Sequence, residues 1–129
     1  MDDTDYPHSH ESAHYLEYKR GKELFESKNF EKAIEHLQRS NLEYPHHKTL
    51  ELIGVCYLQS GNPNHAVMYL AASALLSKHA KPAALLAEAF LKLNRNAEAV
   101  EFATLALKRN PKDRLATAVL QDLQTSADD

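Results

Sequence analysis

HKTLELIGVCYLQSGNPNHAVMYLAASALLSKH, residues 47–79, is the stretch that decides the fold. Its apolar and small residues fall at Leu50, Ile53, Gly54, Tyr57 and Leu58, and again at Ala66, Tyr69, Leu70 and Ser73. Steps of three and four place each set on one face of an α-helix, so the stretch reads as two helices. The break between them is Gly61-Asn62-Pro63. Gly61 is suited to closing the first helix. Asn62 suits the N-cap of the second, and Pro63 sits where a first-turn proline loses no hydrogen bond. The stretch is therefore a helical hairpin.

The same hairpin recurs on both sides at a step of 33 residues: Gly21, Gly54 and Ala87 form one series, and Ala33, Ala66 and Ala99 another. Ser40, Ser73 and Ala106, then Leu24, Tyr57 and Phe90, then Ile34, Val67 and Val100 keep the same step. A fixed period of this size is the mark of a repeat array. Units of 14–46, 47–79 and 80–112 follow, with breaks at Ser27-Lys28-Asn29 and Leu93-Asn94-Arg95 in the outer two. Residues 1–13 are expected to be a polar, flexible tail. Residues 113–129 are expected to hold a capping helix over 112–124, with Leu115, Val119, Leu120 and Leu123 on its apolar face, and then a disordered end. The small residues suggest close crossings of Gly21 with Ala33, Gly54 with Ala66 and Ala87 with Ala99. Since alanine serves in the third unit, Gly54→Ala is expected to be mild and Gly54→Leu severe.

Composition excludes other classes. The 129 residues carry 15 Lys plus Arg against 18 Asp plus Glu, a formal charge of −3, which argues against a nucleic-acid surface. Three glycines, with no G-x-G-x-x-G or G-K-[ST] string, exclude the common phosphate-binding loops. No apolar run is long enough to span a bilayer, and Asp2, Asp3 and Asp5 stand where a secretory signal needs positive charge. The lone Cys56, in an apolar run, fits a reduced buried thiol. A cytoplasmic protein with no cofactor is expected.

The residues at these steps resemble the tetratricopeptide repeats. The resemblance rests on Gly21/Leu24/Ala33/Leu37/Ser40/Pro45, Gly54/Tyr57/Ala66/Leu70/Ser73 and Ala87/Phe90/Ala99/Ala103/Ala106/Pro111. Ankyrin repeats share the period, but their T-P-L-H-x-A string is absent. The first unit departs from the pattern at Glu17 and Arg20, where the family has apolar residues. The resemblance implies an all-α, right-handed superhelix whose first helices line a concave groove for a partner peptide. The groove residues it implies are Tyr15, Tyr18 and Lys22; Lys48, Glu51, Leu52 and Val55; and Lys81, Leu85 and Glu88. Phe25, Leu58 and Leu91 are expected to serve as inter-repeat core. The implied function is a non-catalytic adaptor or scaffold that binds a protein or peptide, without nucleic acid or membrane insertion. The alternative is a dedicated chaperone shielding an apolar segment of a client, and a homo-oligomer is compatible with either. Members that grip chaperone C-termini do so with Lys, Asn and Arg at positions that here hold Tyr18, Lys22, Leu52, Lys81 and Leu85. Only Lys81 matches, so no such clamp is expected.

One string points elsewhere. H-E-S-A-H at 10–14 spells H-E-x-x-H, which on a helix puts two imidazoles and a general base together. That chemistry also needs a third ligand and a cleft, so the reading is a solvated tail with no metal site. The remaining histidines, His36, His46, His47, His65 and His79, are expected to be exposed, and no catalytic set is assigned.

Overall fold

A computed structural model describes residues 12–128. Among these residues there are seven α-helices and no strand: α1 (Ala13–Glu26), α2 (Phe30–Glu43), α3 (His47–Gln59), α4 (Pro63–Leu76), α5 (Ala80–Lys92), α6 (Asn96–Arg109) and α7 (Arg114–Asp128). The all-α hairpin array expected from the periodicity is present. α1 packs on α2, α3 on α4 and α5 on α6, while α2 meets α3 and α4 meets α5 to join successive hairpins. α7 covers α5 and α6 at the far end. It begins two residues later than the periodicity suggests because Asp113 is its cap, with Oδ1 accepting the Ala116 N–H at 2.8 Å.

The short breaks share one backbone solution. Lys28, Gly61 and Asn94, again 33 apart, all have positive φ, at 65°, 82° and 59°. In each case the following residue donates to the carbonyl five back: Asn29 to Leu24 at 2.8 Å, Asn62 to Tyr57 at 2.7 Å and Arg95 to Phe90 at 2.9 Å. Such left-handed caps satisfy carbonyls orphaned at a helix end. Asn62 starts α4, but its side chain makes no cap bond to the backbone; its Oδ1 instead lies 3.1 Å from His65 Nδ1.

The helix crossings correct one expectation. The atoms that require glycine belong to Leu37 and Leu70, not chiefly to Ala33 and Ala66. A Cβ on Gly21 would lie 2.5 Å from Leu37 Cγ, and one on Gly54 would lie 2.5 Å from Leu70 Cγ and Cδ2. The third unit has Ala103 where the others have leucine, and there Ala87 takes the glycine's place, buried with it in the core. Alanine therefore serves in the third unit because its partner is smaller. Gly54→Ala cannot be mild while Leu70 is present.

Two core clusters run through the array. One gathers Leu24, Ala33, Leu37, Leu52, Ile53 and Cys56 with Tyr15 and Tyr18; the other runs from Leu58 and Leu70 through α5 to Ala116 and Val119 of α7. Tyr57 packs against both. Burial pushes the Cys56 thiol up to about 12, because desolvation disfavours its anion. Ser40 and Ser73 are buried too. Their hydroxyls donate to the His14 and His47 carbonyls at 2.6 and 2.8 Å, tying each second helix to the start of the first. The third unit has Ala106 there, and Arg109 donates instead to the His79 and Ala74 carbonyls, both at 3.2 Å.

The first unit's departures find partners within that unit. Glu17 Oε2 lies 2.6 Å from His36 Nδ1 and 4.0 Å from Arg39 Nη1, and Arg20 pairs with Glu23 at 3.4 Å. The equivalent positions hold Leu50 and Ile53, then Ala83 and Leu86, all buried. Charge thus replaces packing only where no hairpin precedes among the described residues.

Candidate functional site

Consecutive first helices, α1 with α3 and α3 with α5, approach one another in Cα trace, whereas consecutive second helices do not. The first helices therefore form the inner row of a curved array, and their shared register defines an inner face. Applying the step of 33 to that register aligns Tyr15, Lys48 and Lys81; Tyr18, Glu51 and Ala84; Lys22, Val55 and Glu88; and Lys19, Leu52 and Leu85.

The structure treats the expected groove residues unequally. Tyr15, Tyr18, Leu52 and Leu85 are withdrawn from solvent, Tyr18 and Leu52 fully, and lie among the core residues. Lys22, Lys48, Val55 and Glu88 are half-buried, and Lys81 is exposed. Leu58 is buried, while Phe25 and Leu91 pack partly buried against the clusters.

Charges on this face are already engaged with one another. Lys81 Nζ lies 3.9 Å from Glu51 Oε2, bridging α5 to α3, and Glu51 keeps only 10% of its side-chain surface exposed. Glu88 faces Lys92 one turn on, also at 3.9 Å. The lysine that best fits a carboxylate clamp therefore has a carboxylate from its own chain beside it. Lys19, exposed at the register of Leu52 and Leu85, is a cation that the sequence reading missed. The 33-residue step alone would have found it.

A ladder of rings runs along the edge where first helices begin. His14 stacks on Tyr44 with centroids 5.1 Å apart, His46 on His47 at 4.4 Å, and His47 leans on His79 at 5.8 Å. His46 also caps α3, its Nδ1 accepting the Lys48 N–H at 3.2 Å. His46 and His47 are therefore half-buried in a stack, unlike the exposed residues expected. His36 is likewise half-buried against Glu17. Of the H-E-x-x-H string, His10 and Glu11 lie outside the described residues. Among the described residues, no group of three or more His, Cys, Asp or Glu is placed to hold a metal.

The outer face offers a different surface. α4 contains no Asp, Glu, Lys or Arg, yet Met68 is 61% exposed and Leu75 88%. An exposed apolar strip on an uncharged helix is the kind of patch that marks a contact surface. A shallow depression at the first edge is lined by Leu16, Glu17, Arg20, His36, Arg39 and Leu42. No helix among the described residues is long and apolar enough to cross a membrane.

Comparison with known proteins agrees with this geometry. Residues 80–113 match the family model of the tetratricopeptide repeat. No curated protein matches the sequence. Among solved structures, the first tetratricopeptide domain of Spaghetti (RPAP3), bound to the HSP90 peptide SRMEEVD, aligns at a TM-score of 0.85 and 15% identity, covering 91% of this chain and 94% of that one. The second such domain of human RPAP3, in complex with the HSP70 peptide SGPTIEEVD, aligns at 0.80 and 22% identity, covering 84% and 92%. The translocator chaperone SycD of Yersinia enterocolitica type III secretion aligns at 0.81 and 16% identity, covering 89% and 94%. The chain has the tetratricopeptide-repeat fold, and its third unit carries the family's sequence signature.

Proposed function

We propose that this tetratricopeptide-repeat array is a non-catalytic adaptor whose inner face binds an extended segment of a partner protein. The observation that carries the reading is the inner row of first helices, whose shared register sets Lys22 and Lys48 beside Val55. Two domains of the same fold are described with acidic peptides bound. Apolar contacts beside the lysines would hold an anchor side chain, and the lysines would choose a segment bearing carboxylates. The reading is tested by capture from native lysate, comparing the unaltered chain with Lys22→Glu/Lys48→Glu at equal helicity by circular dichroism. A partner retained by the first and lost by the second supports it. A partner held equally by both moves binding off this face. Leu52 and Leu85 are unsuitable for such a test, since charge at either buried site would unfold the hairpins.

The partner is not expected to be a chaperone C-terminus, because Glu51 neutralises Lys81. Titration of SRMEEVD should give a Kd weaker than about 100 μM, short of ~5.5 kcal/mol of binding. Glu51→Gln should strengthen it, and low-micromolar binding that is lost on Lys81→Ala would refute the expectation.

The second reading is a client-shielding chaperone, and the uncharged outer face of α4 is what favours it. Co-expression separates the two: an adaptor's partner stays soluble without it, whereas a chaperone's client aggregates.

A further inference from the structure

The outer side of α4 has no charge with which to face water. Asn64, Met68, Ala71, Ala72 and Leu75 recur at steps of three and four, so they share one side of the helix, opposite the buried Ala66, Leu70 and Ser73. Met68 is 61% exposed, Leu75 88% and Leu76 59%. A helix with no charged face is normally covered all round. The step of 33 shows what its neighbours carry at the same register: where α4 has Met68 and Leu75, α2 has Glu35 and Leu42, and α6 has Glu101 and Lys108.

We infer that a second copy of this chain covers the strip, with α4 antiparallel on α4 about a twofold axis passing at Ala71 and Ala72.

Charge selects both this occupant and this orientation. In a twofold contact a patch meets itself, so a charged strip repels its own copy and an uncharged one does not. With the helices antiparallel, Met68 of one copy meets Leu75 of the other. On the α6 flank Glu101 then stands across from the second copy's Lys108, and symmetry repeats the pairing. On the α2 flank Glu35 stands across from Leu42. Turning the second copy so that the helices run parallel sets α2 across from α6 and puts Glu35 against Glu101, acid on acid. Flanking charges of this kind orient an encounter more than they add affinity. Side-by-side helix dipoles favour the antiparallel pair as well.

Shape and position agree. The two alanines at the axis let the backbones approach to the near end of the usual helix spacing of about 8–10 Å. α4 is the middle helix of the outer row, so on a curved array it stands at the crest and meets a partner first. The ends of the array suit a copy less, since the leading one carries the Glu17–His36 pair and the trailing one lies under α7. The 14 residues of α4 form a face about 21 Å long and 10 Å wide. That is well under the ~800 Å² per partner of a standard interface, so the dimer is reversible, with micromolar affinity. Back-to-back pairing leaves both inner faces open on opposite sides. If those faces bind peptide, as proposed above, the dimer holds two segments at once and gains avidity for a partner that repeats its segment. The dimer itself does not depend on that reading.

Sedimentation velocity of the full chain over a concentration series tests the inference. The unaltered chain should pass from monomer toward dimer in the micromolar range. Met68→Lys/Leu75→Lys, at equal helicity by circular dichroism, should weaken association by at least about a hundredfold, because like charges then meet across the axis. Glu101→Lys should weaken it by about threefold, and Glu101→Lys/Lys108→Glu should restore it. Cysteine trapping reads the orientation, since Cys56 is buried and its thiol stays protonated. Ala72→Cys should oxidise to a covalent dimer. Leu75→Cys alone should not, because its two copies lie about 10 Å apart along the helices, beyond the ~7 Å a disulfide spans. A mixture of Met68→Cys and Leu75→Cys chains should cross-link. A monomer at every concentration overturns the inference, as does association unchanged in Met68→Lys/Leu75→Lys, or Leu75→Cys cross-linking as readily as Ala72→Cys. So does a chain that stays monomeric while Met68→Lys/Leu75→Lys causes a co-expressed client to aggregate, which gives the strip to the client. Loss of a partner in Lys22→Glu/Lys48→Glu with the dimer intact, or the reverse, separates the two faces.

Discussion

The second and third hairpins have one backbone plan and divide the same work differently. At the crossing, the second pairs Gly54 with Leu70 and the third pairs Ala87 with Ala103. One small residue against one large, or two of middling size, fills the gap between two helices. At the end of the second helix, the buried Ser73 hydroxyl bonds the His47 carbonyl, and in the third hairpin Arg109 reaches the carbonyl of His79, one residue before the equivalent position. On the outer face, α4 shows Met68 and Leu75 where α6 shows Glu101 and Lys108. The fold thus constrains sums of volume and bond partners more tightly than it constrains individual residues.

The hardest blow to this comparison is Gly54→Leu, which sets two large side chains at one crossing. It should cost about 3 kcal/mol or more, read as a fall in denaturant midpoint. Gly54→Ala should cost about 1–3 kcal/mol for the same reason. Leu70→Ala alone should cost about 2–5 kcal/mol through its cavity. The double variant recreates the Ala87/Ala103 pair, so the two changes should couple favourably by about 1 kcal/mol or more. Strict additivity would show that the two crossings are not equivalent.

Smaller effects should come from the left-handed caps. Gly61 adopts its φ without strain, whereas Lys28 bears a side chain there and Asn94 has a type that tolerates it. Lys28→Gly should stabilise by about 1 kcal/mol, with less gain for Asn94→Gly, both by thermal unfolding. The least effect on stability is expected of Met68→Glu/Leu75→Lys, which gives α4 the outer residues of α6. Its stability should change by about 0.5 kcal/mol or less, while solubility, measured as the concentration at which the chain precipitates, should rise.

The hairpins, their breaks and the role of Gly61 were legible in the sequence because each is a local event with a local signal: a period, a proline, a glycine. Contacts made between elements were not. Leu37 and Leu70, rather than Ala33 and Ala66, impose the glycines, since a side chain at a crossing meets whatever reaches furthest toward it. The Lys81–Glu51 pair spans two hairpins and has no sequence spacing to announce it. The near-complete burial of Tyr15, Tyr18 and Leu52 escaped for another reason. A register places a residue on a face but does not say whether that face is covered. Asp113 was visible as an N-cap type, yet polar residues around it diluted the signal, and α7 was read two residues early.

Glu17 and Arg20 have one more consequence. A solenoid whose two ends were both apolar would be a monomer unit for a fibre, each copy offering the next a surface to grow on. Here the leading end would have to strip water from a carboxylate, a guanidinium and an imidazole before another hairpin could seat on it. The trailing end is already spent on α7. Seating another hairpin directly on α1 and α2, or on the face of α5 and α6 that α7 covers, is therefore opposed by the chemistry of the described array itself.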